Sequence, residues 1–492
     1  SLSAARTLII DLPGPDLSPE QGRFLTRYGF GGVCLFARNF STPRRTQRLI
    51  RELREALGHD ALVATDQEGG AVLRRLDVPP APTPQALGVM GSESAAFEAG
   101  AVAARGLIDL GINWNFAPSL DVNVNPLNPV IGERSFGSDP ELVARLGVAW
   151  ARGSEAAGVL SSVKHFPGHG DTATDSHLAL PTVIKPRAAL EQTEWLPFRA
   201  AVEARLGSIM TAHIVYPALD PLWPATLSYP LLSGLLRGEW GYDGVVVTDA
   251  TDMKAISQTH PHGEAAPLAI AAGADAVLSC GHGTLETHAE HAQALEWALA
   301  EGRLDPARVA QAQARLDAAA RRFPGTPRPY SAAQQEADRR QLALWAHSAL
   351  EWRGQAPVID PAQPVILIAP RTEAIGGPYG DVPRGEEVAA ALRRVFAHLW
   401  VELHGEGVGE DAGAALELLA RLPNAPVLLA TTGRWGVPEV SREVARHLQG
   451  RPALHLALWN PDDAGVLGLP AVVTHGFRPV NLNALAAALS GR

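Results

Sequence analysis

Eight short apolar runs rich in Val and Ile recur through the first two-thirds of the chain: TLIIDL, GVCLF, ALVATD, INWNFAPSL, SSVKHF, SIMTAHI, GVVVTDA and ADAVLSC. Between them lie longer Ala, Leu, Arg and Glu stretches whose spacing predicts helices, among them Pro43 to Leu57, Glu93 to Leu110, Pro140 to Ala157, Arg187 to Ala204 and Leu231 to Trp240. Strands that alternate with helices build a parallel sheet, and eight repeats predict a closed (β/α)8 barrel. The competing architecture is an open, doubly wound sheet. What separates the two is where polar residues fall. ALVATD ends at Asp66, SSVKHF carries Lys164 and His165, SIMTAHI carries His213, and GVVVTDA brings Asp249 to the end of its run. Chemistry at the carboxyl ends of several strands converges on one barrel face, whereas an open sheet gathers it at one switch point.

Beyond the last run, helices are expected over roughly Leu285 to Ala300 and Asp305 to Arg322, and FPGTPRPY, Phe323 to Tyr330, breaks the periodicity. A further helix is expected over Ala332 to Ala349. From Pro364 a second alternation starts: PVILIAP, a helix near Glu386 to Phe396, PVLLATT, a helix near Ser441 to Leu448, PALHLALWN and AVVTHG, closed by a terminal helix. The expected architecture is therefore α/β throughout: a TIM-type barrel over 1–325, a linker and connecting helix over 326–363, and a smaller α/β sandwich domain over 364–492. The glycine turns IGGPYG and TTGRWG lack both the Lys-Ser/Thr of a P-loop and the spacing of a dinucleotide fingerprint, so they read as turns.

A chain of 492 residues with a formal charge of −10 and no Lys/Arg-dense stripe is not built to neutralise phosphates, which argues against nucleic acid as a partner. No apolar run approaches a membrane span, and the opening SLSAARTLIIDLPG lacks the sections of a signal peptide. Cys34 and Cys280 each sit in an apolar run without an adjacent base and read as buried small hydrophobes. The absence of a disulfide framework fits a reducing, cytoplasmic setting.

The segment Ser161 to His177, SSVKHFPGHGDTATDSH, concentrates titratable side chains. Lys164 and His165 at a strand end read as a site, and Asp175 and His177, two apart in an extended loop, point the same way. A carboxylate so placed orients an imidazole, which suits a general acid/base; for an isolated DxH triplet an Asx-turn beside a surface histidine is the commoner case. A metal bound by His165, His169 and His177 is disfavoured, because Lys164 places a cation where a cation would bind and the spacing matches no common zinc pattern. Asp249 ends an almost wholly apolar strand, where an ionised group is costly unless its charge is used as a nucleophile or to stabilise a developing cation. Asp252, three residues on, reads as a first-turn partner of the following helix dipole. Arg74 and Arg134, in glycine-flanked segments, offer forked donors for ligand oxygens, although a single such Arg is more often a surface residue. THPHGE, with His260 and His262, reads as a polar loop.

Taken together, DQEGG with Arg74, NFAPSLDVNVNP, ERSFGSDP, KHFPGHGDTATDSH and VVVTDATDM occur in the order found in family 3 glycoside hydrolases, and the chain most resembles the β-N-acetylglucosaminidase branch. The resemblance covers the barrel and, less distinctively, the second domain. It implies retaining hydrolysis of a terminal β-linked N-acetylglucosamine, from peptidoglycan fragments or chito-oligosaccharides, without metal or organic cofactor. By the same resemblance Asp249 is the nucleophile, His177 the acid/base with Asp175 as its partner, and Asp66, Arg74, Arg134, Lys164 and His165 hold the sugar. Since DSH already offers an acid/base, the second domain is expected to supply no essential catalytic residue. Where the family usually reads DQEGGRV, this chain has Ala71 in place of Arg. Gly168 and Gly170 suggest a loop permissive enough to carry His177 in and out. Competing readings are a phosphorylase at the same site, because a neutral histidine does not repel phosphate, a β-glucosidase, and a non-catalytic sugar-binding protein.

Overall fold

The computed structural model describes residues 3–128, 130–175, 179–261, 263–280, 284–371, 382–405, 410–434 and 436–491. The chain divides into two compact units, one formed by Ser1–Ala81 with Gly91–Gln335, the other by Pro82–Met90 with Glu336–Arg492.

In the first unit the strands are β1 (Leu8–Ile10), β2 (Gly32–Leu35), β3 (Leu62–Thr65), β4 (Trp114–Asn115), β5 (Leu160–Ser161), β6 (Val163–Phe166), β7 (Ser208–Thr211), β8 (Val245–Thr248) and β9 (Val277–Ser279). One sheet runs β5-β4-β3-β2-β1-β9 and a second β6-β7-β8, with every pairing parallel. β5 and β6 are a single run interrupted at Ser162, and a parallel bridge from Val247 to Ala276 links β8 to the approach of β9. The ring is thereby closed by the eight expected runs. Its interior is filled rather than hollow: Ile9, Cys34, Leu62, Ala64, Trp114, Leu160, Met210, Val245, Val247, Leu278 and Cys280 share one buried cluster. Pairs two apart, such as Leu62 with Ala64 and Val245 with Val247, face the same way, as barrel packing requires.

The surrounding helices follow from capping and periodicity. In Pro43–Leu57 the Thr42 hydroxyl accepts from Arg45 N, Gly58 ends the helix in a left-handed turn at φ 72°, and Thr46, Leu49, Ile50, Leu53 and Leu57 form the buried stripe. Two expected helices differ. Arg187 to Ala204 is split into Arg187–Gln192 and Trp195–Glu203, because the chain turns out of helical geometry at Thr193 to bury Glu194, whose carboxylate receives Lys185. The helix over Pro230–Glu239 is wound as a π-helix, its exit marked by Trp240 N donating to Leu235 O at 2.9 Å.

The second unit is a six-stranded sheet ordered β10-β15-β14-β13-β11-β12, with β10 (Glu351–Arg353), β11 (Val365–Pro370), β12 (Leu399–His404), β13 (Val427–Thr431), β14 (Ala453–Ala457) and β15 (Ala471–Val473). All pairs are parallel except β10 with β15. The helix Ala332–Ser348 runs across the Gln335/Glu336 division between the units. The helix Pro84–Met90 also packs in the second unit: Thr83 Oγ1 donates to His475 O at 2.6 Å, and a His475 ring nitrogen lies 3.1 Å from Gln85 Oε1. No described helix is long and apolar enough to cross a membrane.

Candidate active site

The turn that follows β3 brings charge back onto itself. Glu68 N and Gly69 N both donate to Val72 O, and Gly69 and Gly70 take φ of 110° and 60°, a region glycine enters without steric cost. The Gln67 side chain locks the return: Oε1 accepts from Arg74 N at 2.9 Å and from Arg75 N at 3.1 Å, while Nε2 donates to Arg75 O at 2.8 Å. The two adjacent arginines then part. Arg75 is spent on structure, pairing with Asp77 and Asp109 and donating to Gly106 O. Arg74 turns to Asp66, with Nη2 3.8 Å from Oδ2, and its guanidinium lies 5.9 Å from the Phe36 ring centroid.

From Asp66 a chain of alternating charge runs inward. Lys164 Nζ, from β6, lies 3.3 Å from both Asp66 Oδ1 and Glu68 Oε2. Arg134 Nε and Nη2 grip the two Glu68 oxygens at 3.1 Å each, and Arg134 Nη1 donates to Val130 O. Burial by itself would raise the Glu68 carboxyl, but the Arg134 and Lys164 charges outweigh it and hold the group at about 2. Glu68, Lys164 and Arg134 are buried, whereas Asp66 and Arg74 keep 19% and 9% of their side chains open. The array therefore opens to solvent at its Asp66 and Arg74 end.

His165 is fixed from below by Asp121, which is wholly buried. Asp121 Oδ2 accepts from His165 Nδ1 at 2.7 Å and from Ser119 Oγ at 3.0 Å; Oδ1 accepts from the backbone N–H groups of His165 at 3.2 Å and His169 at 2.7 Å. A carboxylate only accepts, so Nδ1 carries the proton and Nε2 is the nitrogen left for a ligand. Burial would raise the Asp121 carboxyl, yet His165 and His169 bring it below its ordinary value. His169, buried and beside His165, is pushed down to about 4, mainly by burial, and so is neutral near pH 7; the Asp249 charge also reaches it.

The glycines after His165 serve close packing. A Cβ on Gly170 would lie 1.7 Å from Val122 O, and one on Gly168 2.8 Å from Glu194 Cβ. Tyr216 OH donates to Gly168 O, Asn128 Nδ2 donates to His169 O at 2.7 Å, and Lys185 pairs with Asp171 at 2.8 Å. These contacts hold the loop as far as Thr172, and both glycines there sit where a side chain would meet its neighbours.

Asp249 leaves the end of β8 partly exposed, with Oδ1 accepting from Ala250 N at 2.9 Å. His213, past the end of β7, donates from Nε2 to Ala250 O at 2.8 Å, and its Nδ1 is 2.8 Å from Thr226 Oγ1. Asp252 precedes the short helix Lys254–Ser257, whose N-cap is Met253, so it is not a first-turn residue as expected. Asp175 is half-buried, and its carbonyl accepts from Ala179 N at 3.0 Å. His177 lies outside the described residues, as does His262. Ala71 is 1% exposed, so this departure from the family pattern sits in packed interior.

Of the residues singled out from sequence, Asp66, Arg74, Arg134 and Lys164 fall in one array, His165 adjoins it through Lys164, and Asp249 ends a strand of the same barrel face. Glu68 and Asp121 were missed. Both lie inside segments already quoted, Glu68 in DQEGG and Asp121 in NFAPSLDVNVNP, but neither position stands out there by spacing or pattern.

A family model described as the N-terminal domain of glycosyl hydrolase family 3 matches residues 9–319, and the chain belongs to that family. β-Hexosaminidase A of Pseudoalteromonas piscicida is 37% identical over 387 residues, covering 72% of this chain and 65% of that protein. A β-hexosaminidase of Alkalilimnicola ehrlichii is 39% identical over 282 residues, covering 56% of this chain and 80% of its own. The solved structure of a family 3 β-N-acetylglucosaminidase from Paenibacillus sp. str. FPU-7 aligns with a TM-score of 0.90 at 33% identity, covering 99% of this chain and 96% of that one.

Proposed function

We propose that the chain is a retaining β-N-acetylhexosaminidase that removes terminal β-linked N-acetylglucosamine from chito-oligosaccharides or peptidoglycan fragments. The observation that carries this reading is the Arg74–Asp66–Lys164–Glu68–Arg134 array, with its open end at the mouth of the barrel that bears Asp249. The names of the relatives supply the amino sugar.

In the first step an Asp249 carboxylate oxygen attacks the anomeric carbon while His177 gives its proton to the departing glycosidic oxygen; the C–O bond to the leaving group breaks and a glycosyl ester forms. In the second, neutral His177 takes a proton from water, whose oxygen attacks the same carbon and expels the Asp249 carboxylate, giving back the β-configured sugar. Asp175 orients the imidazole. Asp66 accepts from sugar hydroxyls while Arg74 and Lys164 offer donors, His165 Nε2 accepts because the ring proton is held on Nδ1 by Asp121, and Arg134 acts chiefly by holding Glu68.

Turnover of an aryl β-N-acetylglucosaminide with and without inorganic phosphate tests the reading. N-acetylglucosamine as the main product in both supports it; N-acetylglucosamine 1-phosphate makes the enzyme a phosphorylase, and a preference for aryl glucosides makes it a glucosidase. Mass spectrometry of the peptide holding Asp249, after a slow fluorinated substrate, locates the ester. Full turnover by Asp249→Ala removes the nucleophile assignment.

A further inference from the structure

The loop that leaves β7 is built to present an aromatic ring. Asp220, 5% exposed, accepts from Leu222 N at 3.0 Å and Trp223 N at 3.1 Å through Oδ1, and from Ser228 Oγ at 2.7 Å through Oδ2. This clamp leaves Leu222 82% and Trp223 37% exposed, a costly display of apolar surface for a loop so firmly held. Trp223 is not isolated. Its ring lies against His260, of the loop leaving β8, with centroids 5.7 Å apart and planes at 36°.

The same loop touches both halves of the proposed chemistry. On one side it pairs with the stretch that follows His177: Val183 N donates to Val215 O at 2.9 Å and Val215 N to Pro181 O at 3.0 Å, a parallel bridge between Thr182 and Val215. On the other side His213 ties it to Ala250, the neighbour of Asp249. Thr226 draws the loop shut, its backbone N and its hydroxyl both reaching Ala212 O. Trp223 is thus carried on a loop bonded on one side to the stretch that follows His177 and on the other to the neighbour of Asp249, and its ring meets the loop that leaves the strand bearing Asp249.

We propose that Trp223, backed by His260, is the stacking platform for the second pyranose ring of a β-linked oligosaccharide, the sugar that leaves. The C–H face of a pyranose lies well on an indole, and the polar rim of the ring stays in water. This rests on the glycosidase reading above and adds the class of leaving group that the site favours.

The full chain and its Trp223→Ala, Trp223→Phe and His260→Ala variants are compared by kcat/KM on chitobiose and by the inhibition constant of free N-acetylglucosamine, which fills only the subsite at Asp66 and Arg74. For Trp223→Ala we expect kcat/KM on chitobiose to fall about tenfold, the scale of one lost aromatic contact, with the inhibition constant unchanged. Trp223→Phe retains most of the activity, and His260→Ala loses less than Trp223→Ala. Unchanged kcat/KM in Trp223→Ala, while N-acetylglucosamine still inhibits, overturns the platform and leaves the glycosidase reading standing. A parallel loss of monosaccharide binding overturns it too, since the ring would then be supporting the first subsite. A wild-type chain that cleaves no N-acetylglucosaminide removes both readings together.

Discussion

Arg134 holds Glu68 by both carboxylate oxygens at 3.1 Å, with the two side chains 5% and 1% exposed. Removing one partner of a buried pair strands the other, at a cost of roughly 3–5 kcal/mol. Glu68→Gln is expected to leave both Arg134 and Lys164 short of a counter-charge. Thermal unfolding should show a clear fall in midpoint, and activity should fall because Lys164 loses one of its two anchors.

The same carboxylate sets a pH limit. Glu68 sits at about 2 in the fold against an ordinary 4.5, so its contribution to stability is complete above the ordinary value and is lost as pH falls through that interval toward 2. Melting midpoints taken from pH 7 down to pH 3 should therefore stay level to about 5 and then decline. In Glu68→Gln that share of the decline is absent, whatever the starting stability.

Asp121 makes His165 present Nε2. Asp121→Asn keeps the shape but supplies an amide that can donate to Nδ1, so the imidazole is free to move its proton to the other nitrogen. Hydrogen bonds to a charged group are worth about 1.5–3 kcal/mol, which corresponds to a loss of roughly 10- to 150-fold in kcat/KM. Steady-state kinetics would show it, with melting little changed if the role is to position His165; an equally large fall in stability would mean the carboxylate mainly holds the loop together.

Close packing at Gly170 is testable without touching any charged group. Gly170→Ala places a Cβ 1.7 Å from Val122 O, so the backbone must shift, and His169 and Asp171 with it. Lower activity and a lower melting midpoint are expected. Gly14→Ala, where nothing lies within 4 Å, is the control and should behave as wild type.

Cys34 and Cys280 are buried in the barrel interior, and burial drives both thiols well above their ordinary range. Neither should react with a thiol reagent at neutral pH until the first unit unfolds, when both should titrate together. Fast labelling of the native protein would contradict this.

Much of the barrel was legible because each strand must be apolar enough to fill a closed ring and still end in a polar residue at its mouth. The run SSVKHF showed both needs at once, apolar Val163 and Phe166 around Lys164 and His165. Asp121 and Glu68 were harder to see, since a buried acid that serves other side chains leaves no pattern of its own; only the donors around it reveal it. Edge strand β12 escaped for a related reason. Leu399, Trp400 and Glu402 are all partly exposed or more, so its sequence lacks the uniform apolar character of the central strands. The break at Thr193 and the π-wound helix near Trp240 were invisible because spacing records which face is buried, not how many residues a local turn contains.

Thr83 and His475, joined by a hydrogen bond, are 392 residues apart. At a synthesis rate of roughly 5–20 residues per second, Thr83 waits about 20–80 s for its partner to be made. Throughout that interval the helix Pro84–Met90 belongs to a unit not yet translated. The second unit is thus not a cassette encoded at one end of the gene: a copy begun at Glu336 would lack a piece of its own packing, and any exchange of this unit between relatives has to carry Pro82–Met90 with it.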